Sequence, residues 1–334
     1  MRLRLALILL LAVSSARAEL NTESLPAGAV GFVAIDIAAF RRTKFGQALE
    51  SLANMKGKDL EASRKLSEQL GVDSKKDLHD LIIAIYPDAD GKVSEKNASG
   101  VVLIRGKFQP KTIDAFGTKN GIPSKVVGKH KAWEAGAFIE KFSGEKPKPE
   151  TKDAYVVAHS ETLLIVAGAE FLERALTAAD HHEKAALLPA PISAKFAAAQ
   201  QGWLYLYADA SKMKRPDNQV GLENLSLVLG ENAIDVQLAT AADFMSAEKA
   251  ATMRKQLAAL QAIAPLGLSD TDGKSASQKE DQALLLELVQ KIRIGGVGKQ
   301  LTLALDFPAD KAVRAISKVI DKAQQGPGVL PAAK

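Results

Sequence analysis

Between residues 291 and 325 the chain alternates apolar and polar positions and then changes period. Ile292 and Ile294 flank Arg293, and Leu301, Leu303 and Leu305 alternate with Thr302, Ala304 and Asp306. A period of two marks a strand with one face buried. Gly295, Gly296 and Gly298 lie between the two runs, where a reversing backbone needs residues that tolerate positive φ. From Ala312 the period lengthens. Ala312, Val313, Ile316, Val319, Ile320 and Ala323 recur every three or four positions, with Lys311, Arg314, Lys318 and Lys322 on the other sides. That is an amphipathic helix with Ile316 mid-stripe and Lys318 off it. The unit is strand, turn, strand, helix.

The same unit recurs three times upstream. Residues 81–86 pair with 101–105, residues 155–159 with 163–166 around Ser160-Glu161-Thr162, and residues 225–229 with 234–239 around Gly230-Glu231-Asn232. Helices are predicted from Pro110, over 169–179, and from Ser246 to Pro265. A strand opens each half: Gly31–Asp36, with Asp36 placed to cap a helix, and residues 202–207, which share its order of glycine, aromatic and apolar residues. Two short strands flank Gly128. Residues 137–152 read as a loop, because Gly144, Pro147 and Pro149 stand among lysines. The predicted fold is α+β, with antiparallel sheets built from repeated β-hairpin–helix units and helices packed on one face. The repeated order predicts an internal duplication, with halves at 25–180 and 195–325 and Gly31–Asp36 falling over residues 202–207.

The N-terminus reads as an address. Arg2 and Arg4 precede an apolar stretch over 5–13, and Ala16-Arg17-Ala18 fits a signal-peptidase site. Residues 1–18 are therefore expected to be a signal peptide cleaved after Ala18. Residues 326–334 are expected to be a frayed tail. Loss of Arg2, Arg4 and Arg17, with no acid, lowers the formal charge from +5 to +2. A nearly balanced mature chain without a basic, aromatic-studded stripe argues against a nucleic-acid partner. No later run reaches the roughly 20 apolar residues of a membrane-crossing helix. The absence of cysteine excludes disulfides, thiolate catalysis and cysteine metal sites, and with a signal peptide it points to a bacterial periplasmic or secreted protein.

Candidate motifs dissolve on inspection. Gly296-Val297-Gly298-Lys299 and Gly273-Lys274-Ser275 lack the spacing of a phosphate loop. Asp88-Ala89-Asp90-Gly91 and Asp270-Thr271-Asp272-Gly273 lack the later ligands of a calcium loop, since Asn97 and Lys279 stand where its glutamate belongs. Asp180-His181-His182-Glu183 is the one cluster of histidines, and neighbouring side chains diverge on a regular element, so it reads as a polar linker. His79, His130 and His159 are scattered. Trp133, Trp203, Tyr205 and Tyr207 read as packing within strands rather than a ligand surface. No nucleophile elbow or zinc-protease motif occurs. No catalytic, cofactor-binding or metal-ligating residue is singled out, and no cofactor is implied.

Three stretches carry a resemblance: LPAGAVGFVAID at 25–36, VVLIRG at 101–106 and LTLALDFP at 301–308. In these the chain resembles uncharacterised exported bacterial proteins of the domain-of-unknown-function type. The resemblance implies an envelope or secreted role and supplies no site residues. The expected function is that of an exported, non-enzymatic protein that binds an apolar ligand or an envelope protein. The alternative is a metal-independent hydrolase acting on envelope material, which would require a polar cluster in a cleft.

Overall fold

The computed structural model describes residues 24–55, 64–87, 90–93, 99–144, 153–181, 202–213, 221–268 and 276–324. The signal segment 1–18, the tail 326–334 and the side chains of Ile316 and Lys318 lie outside the described part, so those expectations are not addressed by it.

Twelve strands form one sheet. They are β1 (Gly31–Asp36), β2 (Leu78–Tyr86), β3 (Ser99–Gly106), β4 (Ser124–Val127), β5 (His130–Glu134), β6 (Ala154–Ala158), β7 (Leu163–Gly168), β8 (Gly202–Asp209), β9 (Leu222–Glu231), β10 (Asp235–Phe244), β11 (Arg293–Gly295) and β12 (Gln300–Pro308). Their order is β11-β12-β10-β9-β8-β1-β2-β3-β7-β6-β5-β4, and neighbours run antiparallel. The four hairpins expected from alternation are β2–β3, β6–β7, β9–β10 and β11–β12. Sequence patterning did not foresee that the two opening strands pair with each other. β1 and β8 meet at the centre with Val33 opposite Leu206, which joins the expected sheets into one.

Eight α-helices accompany the sheet among the described residues: α1 (Ile37–Arg42), α2 (Lys44–Met55), α3 (Pro110–Lys119), α4 (Ala135–Ser143), α5 (Leu172–Asp180), α6 (Ala247–Leu268), α7 (Ala276–Lys291) and α8 (Ala309–Gln324). The expectation that helices pack on one face is corrected by the core. Leu172, Ala175 and Leu176 of α5 lie with Phe32, Ile82, Leu103 and Ile165. Ile113 and Phe116 of α3 and Phe138 of α4 lie with Ile104, Leu164, Val156 and Trp133. Leu164 and Ile165 are adjacent in a strand and point to opposite sides, so both faces carry helices. The physical reason is composition. β2, β3 and β7 contain the nearly unbroken apolar runs LIIAIY, VVLI and LLIVAG. Strands apolar on both sides need cover on both sides.

The α3/α4 face continues across the whole sheet. Val156, Val166, Val102, Ile83, Val33, Leu206, Leu227, Thr240, Leu303 and Ile294 stand opposite one another strand by strand. At its far end α6 covers it, with Ala250, Met253 and Leu257 against Ala242, Leu301 and Leu303. A second correction concerns residues 137–152, read as a loop. Through Ser143 the segment is helix α4, closed by Gly144 at φ +78 in the left-handed region. Phe138 and Phe142 lie one turn apart and both face Phe116, at 5.1 and 6.4 Å between ring centroids. Burial of that pair outweighs the turn-forming composition downstream.

A side chain also links parts of the chain that are far apart in sequence. Glu231, at the end of β9, accepts hydrogen bonds from the backbone N–H groups of Lys44 (2.7 Å) and Phe45 (2.8 Å), the free donors at the start of α2.

Candidate functional site

Two features stand apart from ordinary core. The first is an open apolar band across the middle of the sheet, on the α3/α4/α6 face, between the helices that cover its ends. Phe32, Ala34, Ile82 and Ala84 on the opposite side are at most 1% exposed. Their sequence neighbours Val33, Ile35 and Ile85 are only half-buried, and Ile83 is 37% exposed. Across the seam Leu204, Leu206, Leu227 and Leu229 are half-buried as well. The same strands are thus sealed on one side and open on the other, and the open side is aliphatic.

The second feature is a cluster that the sequence left dispersed. The turn between β4 and β5, with Gly128 at φ +60, delivers Lys129 and His130. His159 follows directly on β6, and Asp180 is the last residue of α5. His159 Nε2 lies 2.9 Å and His130 Nε2 3.2 Å from the same oxygen, Asp180 Oδ1, and Lys129 Nζ reaches it at 3.0 Å. The imidazole rings stack, 4.6 Å apart and 25° from parallel. Both histidine side chains are nearly buried, while Lys129 is largely exposed. Burial pushes the Asp180 carboxyl up, but hydrogen bonds from Lys129, His159 and His130 outweigh it and hold the group well below the usual carboxylate range. Burial pulls the His159 imidazole down, against the raising effect of its bond to Asp180. His159 Nδ1 is buried and has no hydrogen-bond partner among the described residues. The neighbouring Ser160 hydroxyl is engaged with Thr162 instead, so no serine–histidine–aspartate relay is assembled there.

No local spacing signal marks this cluster, because its members come from a turn, a strand end and a helix end. Of the histidines adjacent to Asp180 in sequence, His181 is exposed, and His182 and Glu183 lie outside the described residues. His79 is exposed on β2 and stands apart from the cluster. Gly296 to Lys299 forms the turn between β11 and β12, with φ +108 at Gly296 and +56 at Gly298. Asp90 accepts from the Lys92 N–H beside Gly91 at φ +75, which is turn geometry. Residues 88–89, 270–273 and 273–275 are outside the described part. Trp133 is core, its Nε1 donating to Asp114 at 2.9 Å. Trp203 lies 4.7 Å from Phe40 between ring centroids and 6.0 Å from Phe45, and Tyr205 and Tyr207 are buried with the sealed face.

No family model matches the chain, and no curated protein matches it. Solved structures of TP0453 are similar at low identity. Its crystal form I is 12% identical with a TM-score of 0.42, covering 91% of this chain and 98% of that one. Crystal forms III and IV are each 9% identical with TM-scores of 0.41, covering 88% and 92% of this chain and 96% and 99% of theirs. No helix among the described residues is long and apolar enough to cross a membrane.

Proposed function

We propose that this protein is an exported, non-catalytic binding protein, built by internal duplication, whose open sheet face takes an apolar ligand or an apolar patch of an envelope partner. The observation that carries this reading is the one-sided exposure of β1, β2, β8 and β9: an aliphatic surface left half-open where the reverse side is sealed. Contiguous exposed apolar surface costs solubility and is retained where something binds to it. The expected readout is enhanced fluorescence of N-phenyl-1-naphthylamine with the wild-type protein. Ile83→Asp and Leu206→Asp should each weaken the probe's binding by about tenfold, as expected when a charge is set in an apolar contact. Wild-type protein that leaves the probe dark would overturn the reading. Export rests on the N-terminal pattern alone. Intact-mass analysis should find Glu19 as the first residue, and retention of Met1 would refute it.

The strand order supports the duplication. Outward from the seam, one half reads β1, β2, β3, β7, β6 and the other β8, β9, β10, β12, β11. Both opening strands end on an aspartate that caps a helical turn. Asp36 (φ −79, ψ 93) accepts from the Ala39 N–H, and Asp209 (φ −82, ψ 96) from the Ser211 N–H. Aligning the caps places Val33 on Leu206, two residues along from the alignment that the opening glycines suggest. Val33 and Leu206 are also paired across the seam, so the pseudo-twofold axis passes through that pair. The open band straddles the axis and presents equivalent walls on both sides, which suits an elongated apolar ligand lying across it.

A further inference from the structure

The geometry points to a transition-metal site formed by His130, His159 and Asp180. The two Nε2 atoms and a carboxylate oxygen all lie within 4.8 Å of one another. The two separations, 2.9 and 3.2 Å, are near the distance of about 3.3 Å between neighbouring ligands of a tetrahedral ion with bonds of about 2.0–2.1 Å. Two imidazoles and one carboxylate form a donor set suited to zinc, cobalt, nickel or copper, and one that leaves a coordination position for water. Calcium and magnesium, which favour oxygen donors, fit it poorly.

The surroundings favour such a role. The three ligands are delivered by elements anchored in the core, and the stacked rings fix each other's orientation. His159 Nδ1 has no partner among the described residues, so moving the ring proton from Nε2 to Nδ1 on metal binding breaks no existing bond there but leaves a buried N–H unpaired, a cost that the metal bond must exceed. Asp180 already gathers positive charge: Lys129 places its ammonium on Oδ1, where a metal ion would bind. That ammonium is on an exposed, flexible side chain and can leave. Lys129 is therefore a displaceable occupant, and the ion must compete with it.

This competition separates a metal site from a purely structural polar cluster. Titration of the full chain with Co2+ should produce visible absorption bands of a low-symmetry four- or five-coordinate ion, reversed by added Zn2+. His159→Ala and His130→Ala should weaken binding by more than tenfold. Lys129→Ala, a surface change that leaves the fold intact, should tighten it about two- to fivefold, the range set by loss of an exposed ion pair. The double variant His181→Ala/His182→Ala should bind as the wild type does. Absence of the bands, equal binding by His159→Ala, or unchanged affinity in Lys129→Ala would each overturn the site. Because none of these readouts involves the apolar probe, the site stands or falls separately from the open band.

Discussion

A Cβ built on Gly117 in α3 would come within 2.6 Å of ring atoms of Trp133, which is 1% exposed. Alanine there would gain up to about 1 kcal/mol of helix propensity. It would also push the helix off a ring held in place by the Trp133–Asp114 hydrogen bond, an overpacking cost of about 1–3 kcal/mol. The clash wins, so Gly117→Ala should lower the midpoint of urea unfolding without changing its slope. A rise in the midpoint would mean that Trp133 is free to move. By propensity alone a glycine inside α3 weakens the helix. Its reason for being there is visible only when β5 brings Trp133 beneath it.

At the level of elements, the start of α2 depends on a residue from the other half of the chain. The Glu231 carboxylate holds two backbone N–H groups, and a negative group there also suits the helix dipole. Glu231→Ala should destabilise the protein by about 0.5–2 kcal/mol, the range for lost helix caps. Glu231→Gln should cost less, since an amide oxygen still accepts. Equal stability of both variants to wild type by thermal melting would show that water replaces the cap. Local patterning found the hairpins because alternation and turn residues are properties of a few neighbours. It missed α4, where the Phe138–Phe142 spacing was masked by the glycine and prolines that follow. It also missed the His130–His159–Asp180 cluster, because long-range pairing of β4, β5, β6 and β7 creates it. The two-sided helix cover is legible in the nearly unbroken apolar runs of β2, β3 and β7, which depart from the period-two alternation of a strand with one buried face.

For the whole molecule, the β1–β8 seam is the decisive contact. It joins the β1–β7 and β8–β12 sides of the sheet through backbone ladders, leaving β4 and β11 as the outer edges. A segment spanning residues 25–181 alone would expose β1 as a long apolar edge, a template for further pairing. Under the proposed duplication, which sets Val33 on Leu206, β1 should pair with a second β1 in the same register, Val33 opposite Val33, as an isologous interface. Sedimentation should find that segment as a dimer. A soluble monomer would contradict the symmetry argument. On the same proposal, fusion frees the two copies to diverge. In a dimer of identical chains every insertion appears twice. In one continuous chain it is made once, and among the described residues β4 and β5 have no counterpart beyond β11. His130 sits in that unmatched hairpin, so on the proposed duplication one side of the sheet carries a chemical individuality that the other does not share.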